Sequence, residues 1–132
     1  MLRYMLDTNI CIHVMKHYPP ELRDRFNRLA DHLCMSSITL AELHYGAEKS
    51  ARRLENLQAI EQFTARLEVM SFSPKAAVLL GQIRAEFERA GRPAGAHAML
   101  IGAHARSEGL TVVTNNMREF ERMPGVRAEN WI

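Results

Sequence analysis

Side chains that carry oxygen follow three of the predicted strands of this chain. Asp7 ends the first apolar run, Glu42 comes shortly after the second, and Asn116 and Glu119 follow the run richest in β-branched residues. Because ligands bind outside the carboxyl ends of the strands in an open parallel sheet, we expect these side chains to meet in one crevice. Carboxylate and amide oxygens are hard donors that favour Mg²⁺ or Mn²⁺ over zinc. A cation held there would suit hydrolysis of a phosphodiester, since it polarises the phosphate and lowers the pKa of bound water.

Each acid also has a purely structural explanation. Aspartate near a helix start is common, so Asp7 could act as a second cap beside Thr8, whose hydroxyl is predicted to cap a helix that begins at Asn9. Glu42 could face water from the first turn of a helix, and Glu119 could pair with a nearby arginine. For any one residue these explanations are at least as good as the functional one. The repeated placement after strands is what favours a shared site.

Short apolar segments alternate with amphipathic segments along the chain, which predicts parallel βαβ units and an α/β sandwich. Strands are expected at 1–6, 33–36, 67–72, 110–114 and, as an edge strand, 126–131. Helices are expected to begin near residues 9, 20, 38, 51, 74 and 95, and a short one directly after Asn116. This order of elements would place the oxygen-bearing side chains at one edge of the sheet.

The composition sets wide bounds. A chain of 132 residues with 47% apolar and 24% charged residues is expected to form one packed domain over 1–132. Its formal net charge of +2 permits a polyanionic partner without requiring one. The chain has no apolar run long enough to span a membrane and no secretory signal, and Cys11 and Cys34 form no close pair. We therefore expect a cytoplasmic protein with reduced, buried thiols.

Three segments together resemble those of a known family. They are residues 5–9 (MLDTN), 36–46 (SSITLAELHYG) and 113–120 (VTNNMREF), and the closing residues 126–131 (VRAENW) resemble the end of enteric members. The family is that of the PIN-domain ribonuclease toxins called VapC, and the likeness covers essentially the whole chain. It implies a single PIN domain, in which helices cover both faces of a short parallel sheet of four to five strands in a three-layer α/β/α sandwich.

The resemblance also implies a function and partners. Proteins of this family are Mg²⁺- or Mn²⁺-dependent endoribonucleases of type II toxin-antitoxin systems, and enteric members cut initiator tRNA in the anticodon stem-loop. A VapB-type antitoxin occupies the toxin groove with its C-terminal segment, and a homodimer and a larger assembly that contacts DNA through the antitoxin are implied. By motif position, Asp7, Glu42 and Glu119 match acids of the family, and Asn116 stands where other PIN proteins often carry aspartate.

One position departs from the family. The family carries an aspartate at the head of a later helix, and in the matching run 95–105 (GAHAMLIGAHA) the residue at that place is Ala98. Alanine has no side-chain oxygen, so it can neither bind a metal nor accept from a metal-bound water. Asp24 and Asp31 belong to a predicted surface helix and are poor substitutes. The chain thus carries either an engineered replacement of a catalytic aspartate or a naturally degenerate site, and the alternative function is an antitoxin- or RNA-binding module that does not cut.

Other residues are weaker candidates. Arg92, Arg106 and Arg118 are expected to flank the acidic groove, where they could contact RNA phosphates. His97 stands beside the missing acid, but imidazole is a poor ligand for Mg²⁺. Thr8 has no evident His–Asp relay in the sequence, so nucleophilic catalysis by its hydroxyl gains no support.

An apolar face is predicted on the helix that follows residue 51. It is formed by Leu54, Leu57, Ile60 and Phe63, with Leu40, Leu43 and Tyr45 nearby. This face could receive an antitoxin helix or a second copy of the chain, or it could belong to the core.

Overall fold

The computed structural model describes residues 1–92 and 94–132, and these form one sheet of five parallel strands. The strands are β1 (Tyr4–Leu6), β2 (Leu33–Ser36), β3 (Glu68–Met70), β4 (Thr111–Val113) and β5 (Arg127–Glu129). Their order across the sheet is β3-β2-β1-β4-β5, so β1 is central. The expected edge strand near the C-terminus is confirmed, and it pairs with β4. The strand at 33–36 has the predicted bounds, and the other four strands are shorter than the apolar runs that predicted them.

Helices cover both faces of this sheet. They are α1 (Thr8–Met15), α2 (Pro20–Leu29), α3 (Ser37–Glu48), α4 (Arg53–Thr64), α5 (Pro74–Arg89), α6 (Ala96–Ser107) and α7 (Met117–Glu121), and a 3₁₀ turn (Ala30–His32) precedes β2. Because side chains alternate along a strand, Tyr4 and Leu6 pack with α1 to α4, whereas Met5 packs with α5 to α7. The two separate apolar cores confirm the expected three-layer α/β/α sandwich.

The start of α1 differs from the prediction in one respect. Asp7 is the N-cap, with its side-chain oxygen accepting from the Ile10 amide at 3.0 Å. The prediction that Thr8 caps a helix beginning at Asn9 is therefore wrong. The reason is local, because Asp7 follows β1 directly in extended backbone and its side chain reaches the free amides of the first turn.

The start of α3 is organised by two consecutive serines. Ser36 caps the helix by accepting from the Ile38 amide at 3.0 Å. The Ser37 hydroxyl instead accepts from the Phe72 amide at 3.1 Å. This second bond ties α3 to the segment that follows β3.

The apolar face on α4 is split between the core and the surface. Ile60 and Phe63 are buried, and Leu43 from α3 joins them in the core. Leu54 and Tyr45 are 75% and 63% exposed. Most of the predicted face therefore packs internally, and only its outer end remains accessible.

Both cysteines are buried free thiols, as expected. Burial raises the pKa of the Cys34 thiol to about 12 and also raises that of Cys11, so both remain protonated at neutral pH. None of the helices described combines the length and the apolar character needed to cross a bilayer.

Candidate functional site

The side chains singled out in the sequence meet in one cleft at the carboxyl edge of the sheet. The cleft has a volume of about 260 Å³. It is lined by Asp7, Thr8, Asn9, Glu42, Gly95, His97, Ala98, Asn116, Glu119 and Phe120. The four predicted oxygen donors and the position of the missing acid are therefore brought together from four different segments of the chain.

Asp7 forms the buried end of the cleft. It is 6% exposed, its carboxylate accepts from the Ile10 amide, and the Thr114 hydroxyl donates to it. The Thr114 hydroxyl also accepts from the Asn116 amide at 2.9 Å. This chain of bonds joins the ends of β1 and β4, which are neighbours in register, with Leu6 opposite Val113. Asp7 is consequently a helix cap and a cleft residue at once.

The environment of Asp7 favours its neutral form. Burial raises the pKa of its carboxyl, and this effect outweighs the opposing hydrogen bonds from Thr114 and the Ile10 amide and the positive charge on protonated His97. The protein's own groups therefore compensate only part of the cost of burying the negative charge of Asp7. A cation bound in the cleft would supply the missing compensation.

Glu119 closes the cleft from the side of α7. It stands in the first turn of that helix, and its Oε1 accepts from the Gly95 amide at 3.3 Å. A side chain at position 95 would begin only 3.2 Å from this oxygen, so glycine permits the close approach. Sequence reasoning did not identify Gly95, although a glycine directly before a helix is a recognisable signal.

The opposite wall of the cleft contains a contact that sequence reasoning missed. The Thr8 hydroxyl and His97 Nε2 share a hydrogen bond of 2.9 Å, and His97 Nδ1 lies 3.9 Å from Glu42 Oε1. Thr8 therefore has a histidine partner that no local sequence pattern indicates. Residues 8 and 97 are far apart in sequence. They meet because α1 and α6, which cover opposite faces of the sheet, both begin at the cleft.

Ala98 lies in the first turn of α6, between these two walls, and is 7% exposed. Its methyl group packs in the core formed with α5 to α7. The residue also lines the cleft. An aspartate here would extend from a helix N-terminus, where a negative charge is favourable. No other acid takes its place, because Asp24 and Asp31 are both exposed on the surface and do not line the cleft.

The donor types in the cleft fit a hard divalent cation, but one donor is missing. Carboxylates from Asp7, Glu42 and Glu119 and the amide oxygen of Asn116 are the groups that such ions prefer. Within residues 1–92 and 94–132, no three acidic, histidine or cysteine side chains stand close enough to hold a metal ion as placed. Ala98 lines the same cleft and contributes no oxygen to this set.

The three predicted phosphate-contacting arginines lie in different places. Arg118 is exposed on α7 directly before Glu119, and Arg92 is exposed three residues before Gly95, so each is a close sequence neighbour of a cleft residue without lining the cleft itself. Arg106 lies elsewhere, because its guanidinium donates to the Pro124 carbonyl at 2.9 Å, near the amino end of β5. Its predicted place beside the groove is wrong, since parallel strands put their amino ends on the edge opposite the cleft.

A larger groove of about 410 Å³ continues from the cleft. It runs between α1, α3 and α4, and Glu42 lines both cavities. Its other lining residues are Ile12, Met15, Lys16, Leu43, Gly46, Ala47, Asn56, Ala59 and Ile60. An apolar floor with a few polar groups at its rim is a typical receptor for an amphipathic helix.

The charge of Asp7 gives a testable stability effect. The raised pKa means that the folded protein is stabilised by protonation of Asp7, and this stability is lost as the pH rises from the usual value of 3.8 through the folded-state pKa. Asp7→Asn keeps the cap and removes the charge. We therefore expect the variant to be more stable than the parent at pH 7 in EDTA, with the difference vanishing toward pH 3. Urea denaturation across this range measures it, and a variant that is less stable at pH 7 would contradict the assignment.

Comparison with known proteins agrees with this architecture. The sequence matches the PIN domain family over residues 4–126. It is 53% identical over 131 residues to the tRNA(fMet)-specific endonuclease VapC of Salmonella typhimurium, with 99% of each chain covered. It is 52% identical over 132 residues to Ribonuclease VapC2 of Haemophilus influenzae, with both chains fully covered.

Solved structures give the same result. The chain superimposes on DNA-bound VapBC from Salmonella typhimurium with a TM-score of 0.96, 53% identity and full coverage of both chains. VapBC2 from Rickettsia felis, bound to a DNA fragment from its promoter, gives a TM-score of 0.93 at 38% identity, covering 99% of this chain and 100% of that one. With the acidic cleft, the parallel sheet and these similarities in agreement, the chain belongs to the PIN-domain family and, within it, to the VapC toxins of VapBC toxin-antitoxin systems.

Proposed function

We propose that this protein is built as a divalent-cation-dependent endoribonuclease, and that its substrate is initiator tRNA, cut in the anticodon stem-loop. The observation that carries the proposal is the convergence of Asp7, Glu42, Asn116 and Glu119 in one cleft. The substrate follows from the enteric relative named as specific for tRNA(fMet). Mg²⁺ and Mn²⁺ are the cations that suit these oxygen donors.

Asp7, Glu42 and Glu119 would hold the cation, with Asn116 assisting through its amide oxygen. When bound, such a cation supplies charge for the phosphate and an activated water. The protein's own part is positioning. Asp7 is fixed by its two hydrogen bonds at the buried end, and Glu119 is held by the Gly95 amide. These bonds hold both carboxylates in the cleft that position 98 also lines.

Ala98 favours a second candidate function. Without an oxygen at this position, the chain would bind RNA or its antitoxin but cut poorly or not at all. The proposal is therefore that this chain carries alanine where the family has a catalytic aspartate and is a weakened or inactive form of the nuclease. A non-catalytic binding module is the alternative.

We also propose a VapB-type antitoxin as the partner, seated in the groove between α1, α3 and α4 and reaching the cleft at Glu42. This is supported by the shared lining of the two cavities and by the VapBC complexes among the structural relatives. A homodimer, contact with DNA through the antitoxin, and a place in the cytoplasm, where tRNA is found, belong to the same proposal.

A divalent-ion titration separates the two functions. The protein is incubated with initiator tRNA or with elongator methionine tRNA while Mn²⁺ or Mg²⁺ is increased from zero, and the cut ends are mapped. A nuclease produces a saturable, cation-dependent cut in initiator tRNA with 5′-phosphate and 3′-hydroxyl ends. Tight binding of antitoxin or tRNA without any cut, at every cation concentration, would favour the binding module.

Alanine variants of Arg118 and Arg106 form a matched pair for a test of RNA binding. We expect Arg118→Ala to weaken tRNA binding several-fold and to reduce the slope of log K against log salt by about 1, because one phosphate contact releases about one counterion. Arg106→Ala removes the same charge far from the cleft and serves as the control. Fluorescence anisotropy with labelled tRNA at several salt concentrations measures both. Equal effects of the two variants would exclude a specific role for Arg118.

A further inference from the structure

His104 is a buried polar residue in an otherwise apolar stretch of α6. Its side chain is fully buried, as are its neighbours Ile101, Ala103 and Ala105. Burial of an imidazole is costly unless its nitrogens are hydrogen-bonded. Within the described part of the chain Nε2 makes no hydrogen bond of normal geometry, although the backbone of Ser71 is close enough to act on the ring. The contacts of His104 should therefore explain why it is buried.

His104 contacts the junction between β2 and α3. Its Nδ1 lies 2.8 Å from the Ser36 hydroxyl, and its ring packs edge-on against Phe72, with the ring centres 5.4 Å apart. The Ser36 hydroxyl already accepts from the Ile38 amide. Its own hydrogen can therefore donate to Nδ1. We assign this direction, in which a neutral ring carries its proton on Nε2. Burial also lowers the pKa of His104, in agreement with a neutral ring.

This bond joins the helix that carries Glu42 to the helix that carries position 98. Ser36 is the N-cap of α3 and precedes Glu42 by six residues. On α6, Ala98 precedes His104 by six residues. The hydroxyl that caps α3 is thus the same group that holds α6. Movement at this bond would change the separation between position 98 and Glu42, because each lies less than two helical turns away on a rigid element.

We propose that His104 is a positioning residue of the cleft, which fixes α6 against the cap of α3 and so sets the distance between position 98 and Glu42. The proposal rests on the proposed nuclease function for its catalytic consequence. The structural link itself does not depend on that function.

Three substitutions at His104 separate the bond from simple packing. The side-chain oxygen in His104→Asn stands where Nδ1 stands and can still accept from Ser36. The amide in His104→Gln reaches the place of Nε2 instead, and His104→Leu fills similar space without a polar atom. Each is made in the chain as it is and in the Ala98→Asp protein.

Two measurements are made on each variant. Hydrogen–deuterium exchange is followed in residues 37–42 and 96–100, and kcat and KM for initiator tRNA are measured in the Ala98→Asp series. We expect His104→Gln and His104→Leu to exchange about tenfold faster in both segments and to lose about tenfold in kcat with KM little changed. We expect His104→Asn to recover most of both.

A stability control excludes a general loosening of the fold. Leu22→Ala creates a cavity in the other core, on α2, and lowers the unfolding midpoint without touching the bond. If it raises exchange in 37–42 and 96–100 as much as His104→Leu does, or if His104→Asn behaves like His104→Gln, the positioning role is wrong. If every protein of the series is inactive while exchange follows the expected order, the nuclease proposal fails and the role of His104 in placing the helices stands.

Discussion

Replacing Ala98 by aspartate is expected to raise the rate of initiator tRNA cleavage by about 100-fold or more, the scale on which a group that holds or orients a catalytic metal acts. The new carboxylate would stand between Asp7 and Glu42 on one side and Glu119 on the other, where the donor set is now incomplete. The helix should accept it, because position 98 is in the first turn of α6. Cleavage of labelled tRNA under single-turnover conditions measures the gain.

Ala98→Asn is the matched control for this gain. Asparagine has nearly the same size as aspartate and offers one neutral oxygen, so we expect it to recover less than a tenth of the increase. The two variants together distinguish a charged ligand from a mere filling of space. An Ala98→Asp protein that cuts no faster than the parent, while binding tRNA and the divalent cation, would show that the missing acid is not what limits this chain.

Removing the charge of Asp7 in the Ala98→Asp protein is expected to lower the cleavage rate by about 1,000-fold, because Asp7 would hold the cation that stabilises the transition-state charge. Asp7→Asn is informative because its side-chain oxygen can still accept from the Ile10 amide and cap α1. The fold should therefore survive while the carboxylate is lost. Circular dichroism and the unfolding midpoint verify the fold, and the tRNA assay measures the rate.

A pair of glutamates on α7 tests whether the loss is specific to the cleft. Glu119 lines it, whereas Glu121, two residues later on the same helix, is exposed and does not. We expect Glu119→Gln to lower the rate by about 100-fold and Glu121→Gln to leave it within about twofold, since only the first would hold the cation. Similar losses from both, or a fully active Asp7→Asn protein, would be incompatible with the proposed site.

Much of this architecture can be predicted from the amino-acid sequence alone. Alternation of short apolar runs with amphipathic helices determined the α/β class, and the apolar runs located each strand, because burial on both faces of a parallel sheet demands such runs. The positions of Asp7, Glu42, Asn116 and Glu119 after strands led to the expectation of a common crevice, which the cleft now contains. The absence of an acid at position 98 is likewise a property of the sequence, visible only because the surrounding motif resembles that of a family.

Contacts between distant segments were decided by the tertiary structure. The backbone conformation at the end of β1 decides whether Asp7 or Thr8 caps α1. Because Asp7 is the cap, the Thr8 hydroxyl can form its hydrogen bond with His97 instead. Arg106 seemed close to the groove in sequence, but the direction of α6 carries it to the opposite edge of the sheet. The bond between Ser36 and His104 joins residues that no local pattern relates. Local propensity acts over a few residues, whereas these contacts form only after packing has brought separate elements together.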